Sequence, residues 1–276
     1  MGILLGLIFA IFTIIVPSLA IAAETKSATK PGQIPLSSVA YGNKNIKAAW
    51  FSDATSRYRH GVLGDAIEAA SLSVEIKGKI LKFTLPDNRV FEDIEPRLAD
   101  INHDEKDEII VIESDVRLGA SLVVFAEKDG RLVRFASTPF IGRSNRWLNP
   151  LGVGDFDGDG KNDIALVSTP HIGGVLRLYH LDGNKLVEFA SIKDVSTHSI
   201  GSTELGLGVV VLASPRSWML VPNQAKNAMR LLEWGPKGWI EHKRVQLPAR
   251  VISSLKNTGD NKWQAELDNG QSYSVE

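Results

Sequence analysis

The sequence predicts an all-β chain assembled from a repeated sheet unit, and three observations carry that expectation. An acidic nine-residue loop occurs twice, at Asp100–Glu108 and Asp155–Asp163, about 55 residues apart. Each copy is followed by an apolar run, a turn containing Asp-Gly, and a matching phrase, RLVRFAS at Arg131–Ser137 and KLVEFAS at Lys185–Ser191. The runs flanking the second loop, LNPLGVG and IALVST, are short and rich in branched residues, which is the pattern of strands. A repeat of this period falls in the range of β-propeller blades.

In the second loop, Asp155, Asp157, Asp159 and Asp163 occupy the first, third, fifth and ninth positions, with Gly158 and Gly160 allowing a tight turn. Four carboxylates this close repel one another unless a hard cation holds them, and alternating oxygen donors on a turning loop suit calcium (Ca2+). The Lys161 carbonyl, at the seventh position, is a candidate to complete the shell. An EF-hand would need a glutamate at the twelfth position and flanking helices, whereas Leu166 stands there between strands. The alternative is a solvated acidic hairpin without metal. The upstream loop aligns without a gap and offers Asp100, Asn102, Asp104, the Lys106 carbonyl and Glu108 as a second metal set. Glu105 replaces Gly160 there, and a hydrated acidic turn is again the alternative.

Continuing the register finds a third unit in which Val209, Val211, Ala213 and Ser217 stand where the aspartates were, so the sheet persists without the ligands. Upstream, HGVLGD at His60–Asp65 resembles the LGVGD before the calcium loop. Three strand-like runs follow it: SLSVEI, ILKFTL and RVFEDI. The C-terminal stretch supplies only RVISSL, KWQAEL and QSYSVE. A fourth strand is expected from IKAAWF at Ile46–Phe51, closing the ring by pairing the two chain ends and removing an open sheet edge. The expectation is a β-propeller of about five four-stranded blades over residues 46–276.

Together these residues resemble the FG-GAP or VCBS repeat family, whose blades carry a calcium loop of the form D-x-D/N-x-D-G-x-x-D/E between their first two strands. The match is full at Asp155–Asp163 and partial at Asp100–Glu108. The resemblance implies a β-propeller with calcium at those positions. Its members include adhesion and ligand-binding proteins and domains attached to enzymes, so it speaks to fold more than to role.

The N-terminus is different material. Ile3–Val16 is apolar except for Gly6 and Thr13, Pro17 breaks the run, and small residues precede Glu24. Residues 1–23 read as a secretory signal cleaved after Ala22 or Ala23, with a retained membrane anchor as the alternative. Residues 24–45, rich in Lys, Ser, Pro and Gly, are expected to be a flexible leader. Export to a bacterial periplasm or beyond fits calcium sites of modest affinity. The chain has no cysteine, so disulfides are not its stabilising device. With 31 Lys and Arg against 32 Asp and Glu, net charge favours neither nucleic acid nor an anionic membrane surface, and a monomer is expected.

No HExxH, G-x-S-x-G or phosphate-cradling glycine signature occurs. Two segments at the starts of first strands should approach one mouth of the ring. They are SRYRHGVLGD, with Arg57 and His60, and RSNRWLNP, with Arg146 and Trp147. These four residues are the candidate ligand surface for a protein or glycan. Structurally, the arginines would cap loops and Trp147 would pack between blades. The expected role is therefore a binding or scaffold module. The rival is a polysaccharide hydrolase or lyase with channel carboxylates drawn from Asp53, Asp65 and Glu204.

Overall fold

The computed structural model describes residues 29–259 and 262–275, and among them there is no helix. The strands fall into five consecutive antiparallel groups. The first holds β1 (Ala40–Tyr41), β2 (Ile46–Thr55), β3 (Glu68–Ile76) and β4 (Lys79–Thr84). The second holds β5 (Arg89–Phe91) and β6 (Arg97–Ala99), both paired with β7 (Glu108–Asp115), then β8 (Gly119–Lys128) and β9 (Arg131–Ser137). The third is β10 (Leu148–Gly154), β11 (Asp163–Ser168), β12 (Val175–Asp182) and β13 (Lys185–Lys193). The fourth is β14 (Val209–Val211), β15 (Trp218–Pro222), β16 (Ala228–Gly235) and β17 (Gly238–Gln246). The fifth has three strands, β18 (Lys256–Gly259), β19 (Lys262–Glu266) and β20 (Ser272–Val275).

Side chains alternate across a strand, so a sheet with two apolar faces needs a neighbour on each. In β7, Ile109 and Val111 join a core with Phe51, Leu72 and Val74 of the first group. The intervening Ile110 and Ile112 join a second core with Leu148, Ile164 and Leu166 of the third. In β11, Ala165 and Val167 face Met219 and Val221 of the fourth group. Leu220 and Met229 then face Ala265, Leu267 and Val275 of the fifth. Four cores in series thus pack the five strand groups against one another, and the β3–β5 and β9–β13 pairings join the first three groups into one thirteen-stranded sheet. Among the described residues, no strand pairing joins the fifth group to the first.

Strand direction alternates within each group, which sorts the connections to two ends. The connections 42–45, 100–107, 155–162 and 212–217 lie at one end, and 56–67, 116–118, 138–147, 169–174 and 194–208 lie at the other. A cleft of about 420 Å³ is touched by Ser38, Glu95, Pro150, Gly208 and Ser254, one residue at or near the first strand of every group. Tight hairpins set the register: Lys128 pairs with Arg131 across Asp129 (φ 53°) and Gly130 (φ 76°), the left-handed pair that a two-residue turn needs.

Three expectations are corrected. Ile46–Phe51 does not pair with the C-terminal strands: it lies in β2, between β1 and β3, with Trp50 opposite Ser73 and Phe51 opposite Leu72. Both edges of β2 are taken by β1 and β3 and its apolar residues pack into the core shared with the second group, so among the described residues it has no pairing with the C-terminal strands. The first group accordingly begins at Ala40 and not near His60, while RVFEDI is shared: its strand β5 pairs with β3 of the first group (Phe91 opposite Ala69) and with β7 of the second. The expected leader, residues 24–45, is packed where it is described. Ile34 is 4% exposed in the first core, and Gln33 bridges to Ser52. The expected signal, residues 1–23, lies outside the described residues.

Candidate functional site

The two acidic loops fold alike, and the shared hydrogen bonds show why the spacing matters. In the downstream loop, Asp163 accepts from the Phe156 amide (3.1 Å) and Asp157 from Asp159 (3.0 Å). Asp155 accepts from Gly160 (2.9 Å) and Asp159 from Lys161 (2.8 Å). In the upstream loop, Glu108 accepts from Ile101 (3.0 Å) and Asn102 from Asp104 (2.9 Å), while Asp100 accepts from Glu105 (3.0 Å) and Asp104 from Lys106 (2.9 Å). Four bonds recur position for position. Each of these residues therefore wraps the loop around its own carboxylate or amide oxygen, as Asx turns do.

Asp155, Asp157 and Asp159 each place a carboxylate oxygen within 4.8 Å of the others. Calcium–oxygen distances of about 2.3–2.6 Å allow two ligands of one ion to stand up to roughly 5 Å apart, so this trio fits a calcium-sized cation. Asp163 stands outside the trio. Burial pushes its carboxyl up to about 7, with the charges of Asp157, Asp159 and Asp155 adding to the effect. Lys161 offers its amine to Asp159 (3.0 Å), and its backbone and side-chain hydrogen bonds hold the Asp159 carboxyl below the usual range. The loop also docks forward: Arg216 Nε donates to the Asp157 carbonyl (3.0 Å), and the Ser217 amide donates to that of Asp155 (2.6 Å).

The upstream loop differs in its charge. The Lys44 amine donates to Asp100 (2.8 Å). Burial works against ionisation of Asp100, but that hydrogen bond and the lysine charge outweigh it and hold the carboxyl low. Burial pushes Glu108 up to about 7, as it does the equivalent Asp163. His103 (φ 60°) and Glu105 (φ 66°) adopt the left-handed conformation that Gly158 (φ 80°) and Gly160 (φ 83°) adopt downstream. The loops touch: the Asn162 amide donates to His103 Nε2 (3.0 Å), and the Asn162 side chain to the Asp100 carbonyl (2.8 Å).

At the opposite end, a pit of about 200 Å³ is lined by His60, Arg146, Trp147, His171, Ile172 and Ile200, among others. It brings together three of the four residues singled out from the sequence. Arg57 is turned elsewhere, donating from Nε to the Arg89 carbonyl (2.8 Å) with Asp87 at 3.5 Å. His60 Nδ1 meets the buried Glu92 carboxyl (2.5 Å), whose other oxygen accepts from Ser114. Burial raises the Glu92 carboxyl despite that imidazole. Trp147, 2% exposed, forms the floor, and its indole N–H donates to the Glu92 carbonyl (2.8 Å), so it is a packed residue as well as a lining one. His171 stacks on Trp147 and shares a 2.8 Å hydrogen bond with His198. Burial lowers these histidines to about 3 and about 4, so both are neutral at pH 7.

The Arg146 segment is held in place by close packing: a Cβ on Gly119 (φ 74°) would lie 2.1 Å from the Arg143 carbonyl, and the Ala120 amide donates to that of Arg146 (3.0 Å). The channel carboxylates suggested for an enzyme do not gather. Asp53 pairs with Lys82, Asp65 caps the Ile67 amide, and of the three only Glu204, which accepts from the Ser254 amide, lines the cleft, where Glu95 also stands. Sequence reasoning missed Glu68, Glu92, His171 and His198. Glu68 and Glu92 read only as polar residues at strand ends, and His171 and His198 only as loop residues in the 169–174 and 194–208 connections.

Comparison with curated proteins returned no match. A family model described as FG-GAP-like repeat matches residues 100–166, a span that opens at Asp100, runs through β7 to β10 and ends past Asp163. This chain therefore carries an FG-GAP-like repeat, and both acidic loops lie inside it.

Proposed function

We propose that the protein is an exported, calcium-loaded β-propeller of about five blades that acts as a binding or scaffold module for a protein or carbohydrate ligand. The observation that carries the reading is the convergence of Asp155, Asp157 and Asp159 in a loop whose hydrogen bonds recur at Asp100–Glu108. Sheets buried on both faces, and a cleft touched by all five groups, support the propeller. Calcium held by the downstream trio would neutralise its mutual repulsion and tie β10 to β11, stabilising the fold by mass action. Export rests on the apolar N-terminal segment, and the module role on the pit, which offers aromatic, cationic and apolar groups.

The test is thermal melting of chelated protein across a calcium titration. Free calcium at about 100 times its Kd should add about 2.7 kcal/mol, and Asp157→Ala should lose most of that gain. If wild type and variant melt alike across millimolar calcium, the metal reading fails.

A further inference from the structure

Ile67, Leu118, Ile141, Ile172 and Ile200 are exposed apolar side chains on the connections at the pit end, although the most exposed one among the described residues, Leu212 (75%), lies at the acidic end. Ile200 (72% exposed) and Ile172 (61%) rim the pit over Trp147. Leu118 and Ile141 stand beside it, tied together by the Gly142 amide donating to the Leu118 carbonyl (2.8 Å). Scattered single hydrophobics need no explanation, but several around a concave site mark an interaction surface. The same loops carry Arg117, Arg143 and Arg146, for which no ion pair is formed among the described residues. The connections at this end carry Arg57, Arg59, Arg117, Arg143 and Arg146 against Asp65, Asp194 and Glu204, an excess of positive charge. Within the pit, Glu92 engages His60 Nδ1 and leaves Nε2 as the ring's remaining polar atom, alongside the Arg146 guanidinium and the Asn145 amide.

We infer that this pit and its rim bind an acidic polypeptide segment, seating one aliphatic side chain between Ile172, Ile200 and Trp147 with a neighbouring carboxylate against Arg146 and His60. This rests on the binding-module reading above and selects peptide over carbohydrate within it. Sugar sites present aromatic faces to solvent, whereas Trp147 lies beneath the rim and the accessible surface is branched aliphatic. A flat anionic membrane would use the isoleucines and arginines but has no side chain for the concavity.

The experiment uses three fluorescein-labelled octapeptides and fluorescence anisotropy. One places a leucine among glutamates, one replaces that leucine by serine, and one replaces the glutamates by lysines. Saturable binding of the acidic leucine peptide alone is expected, weakening with salt. Ile200→Ser combined with Arg143→Glu should reduce affinity at least tenfold. Both side chains are exposed, so melting in saturating calcium should be unchanged and serves as the folding control. Equal binding of the three peptides, no saturation up to about 1 mM, or a variant that binds like wild type overturns the inference. So does cosedimentation with vesicles of phosphatidylcholine and phosphatidylglycerol that is lost in the same variant while peptide binding is absent, which reassigns the face to membrane. A calcium-dependent melt with no peptide binding leaves the module's metal reading intact and removes only this inference.

Discussion

The two ends of the molecule are built in opposite ways. At the acidic end each loop is a local object: nine residues supply the carboxylates, and most of the hydrogen bonds that hold them arise within the same nine. At the opposite end no single loop makes the pit. His60 comes from the first group, Glu92 from the second, Arg146 and Trp147 from the connection to the third, and Ile200 from the connection to the fourth. A local object can be changed residue by residue with local effect, whereas an assembled one couples function to the packing of several sheets.

The largest effect should therefore come from the floor of the assembled end. Trp147 is buried beside two neutral histidines and ties its indole to Glu92, so Trp147→Ala should cost about 3–5 kcal/mol. Denaturant unfolding at saturating calcium measures it. A loss below about 1 kcal/mol would mean that the floor is loose and the two ends are less different than described.

This contrast also explains what was legible in sequence. The loop spacing at Asp155 and Asp100 announced both the repeat and the convergence of Asp155, Asp157 and Asp159, because a tight turn forces alternate side chains toward one centre. The strand runs of the middle groups were readable from their branched residues. The first group was misregistered because its inner strand is only Ala40–Tyr41 and its turn, Gly42–Asn45, has lost every acid, leaving no motif to anchor the alignment. The C-terminal closure failed for a related reason: an edge argument says that a strand needs a partner but not which one, and β3 was nearer in the chain. Trp147 and His60 were found as a polar-aromatic mixture. Glu92 was not, since FEDI reads as an ordinary strand end until His60 is folded onto it.

A second effect sharpens the electrostatic side of the comparison. Glu68, at the start of β3 and 3% exposed, is pushed up to about 10, first by burial and then by Glu92, Asp65 and Asp93. A carboxyl raised in the folded state contributes stability that is full below its unfolded value near 4.5 and is lost as pH rises from there to about 10. Glu68→Gln should remove that slope and stabilise the protein at pH 7 by up to about 3 kcal/mol. The histidines act in the other direction. Lowered in the folded state, His171 and His198 leave the unfolded chain binding more protons below about 6.5, so stability should fall as pH drops toward 4. Unfolding across pH 4 to 10 for wild type and Glu68→Gln tests both limbs: an unchanged alkaline limb in the variant would show that Glu68 is not the group responsible.

Within the acidic end, a smaller change asks whether Lys44 already does a cation's work. Its amine sits on Asp100, while no residue from outside the downstream loop ion-pairs with Asp155 or Asp157 among the described residues. Lys44→Met should lower the melting temperature in chelator slightly and enlarge the calcium-induced rise, because a metal-sized charge deficit opens at Asp100. Isothermal titration would register added binding heat. If the variant's calcium response matches wild type, the upstream loop is a hydrogen-bonded turn whose acids need no cation.

The smallest effect separates backbone from charge in the same pair of loops. Glu105 holds φ at 66° where its counterpart Gly160 holds 83°, yet its amide still donates to Asp100 at 3.0 Å. A left-handed backbone costs a non-glycine residue about 1–2 kcal/mol, and glycine gives back about 0.5–1 kcal/mol through the entropy of the unfolded chain. Glu105→Gly should therefore stabilise the protein by no more than about 1 kcal/mol, with unchanged denaturant dependence, and should do so equally with and without calcium. Gly160→Glu downstream meets open space and should cost a similar amount. Equal and opposite shifts would show that the two loops share one backbone and differ only in their charges. A Glu105→Gly gain that appears only in calcium would instead mean that relaxing this residue completes a second metal site.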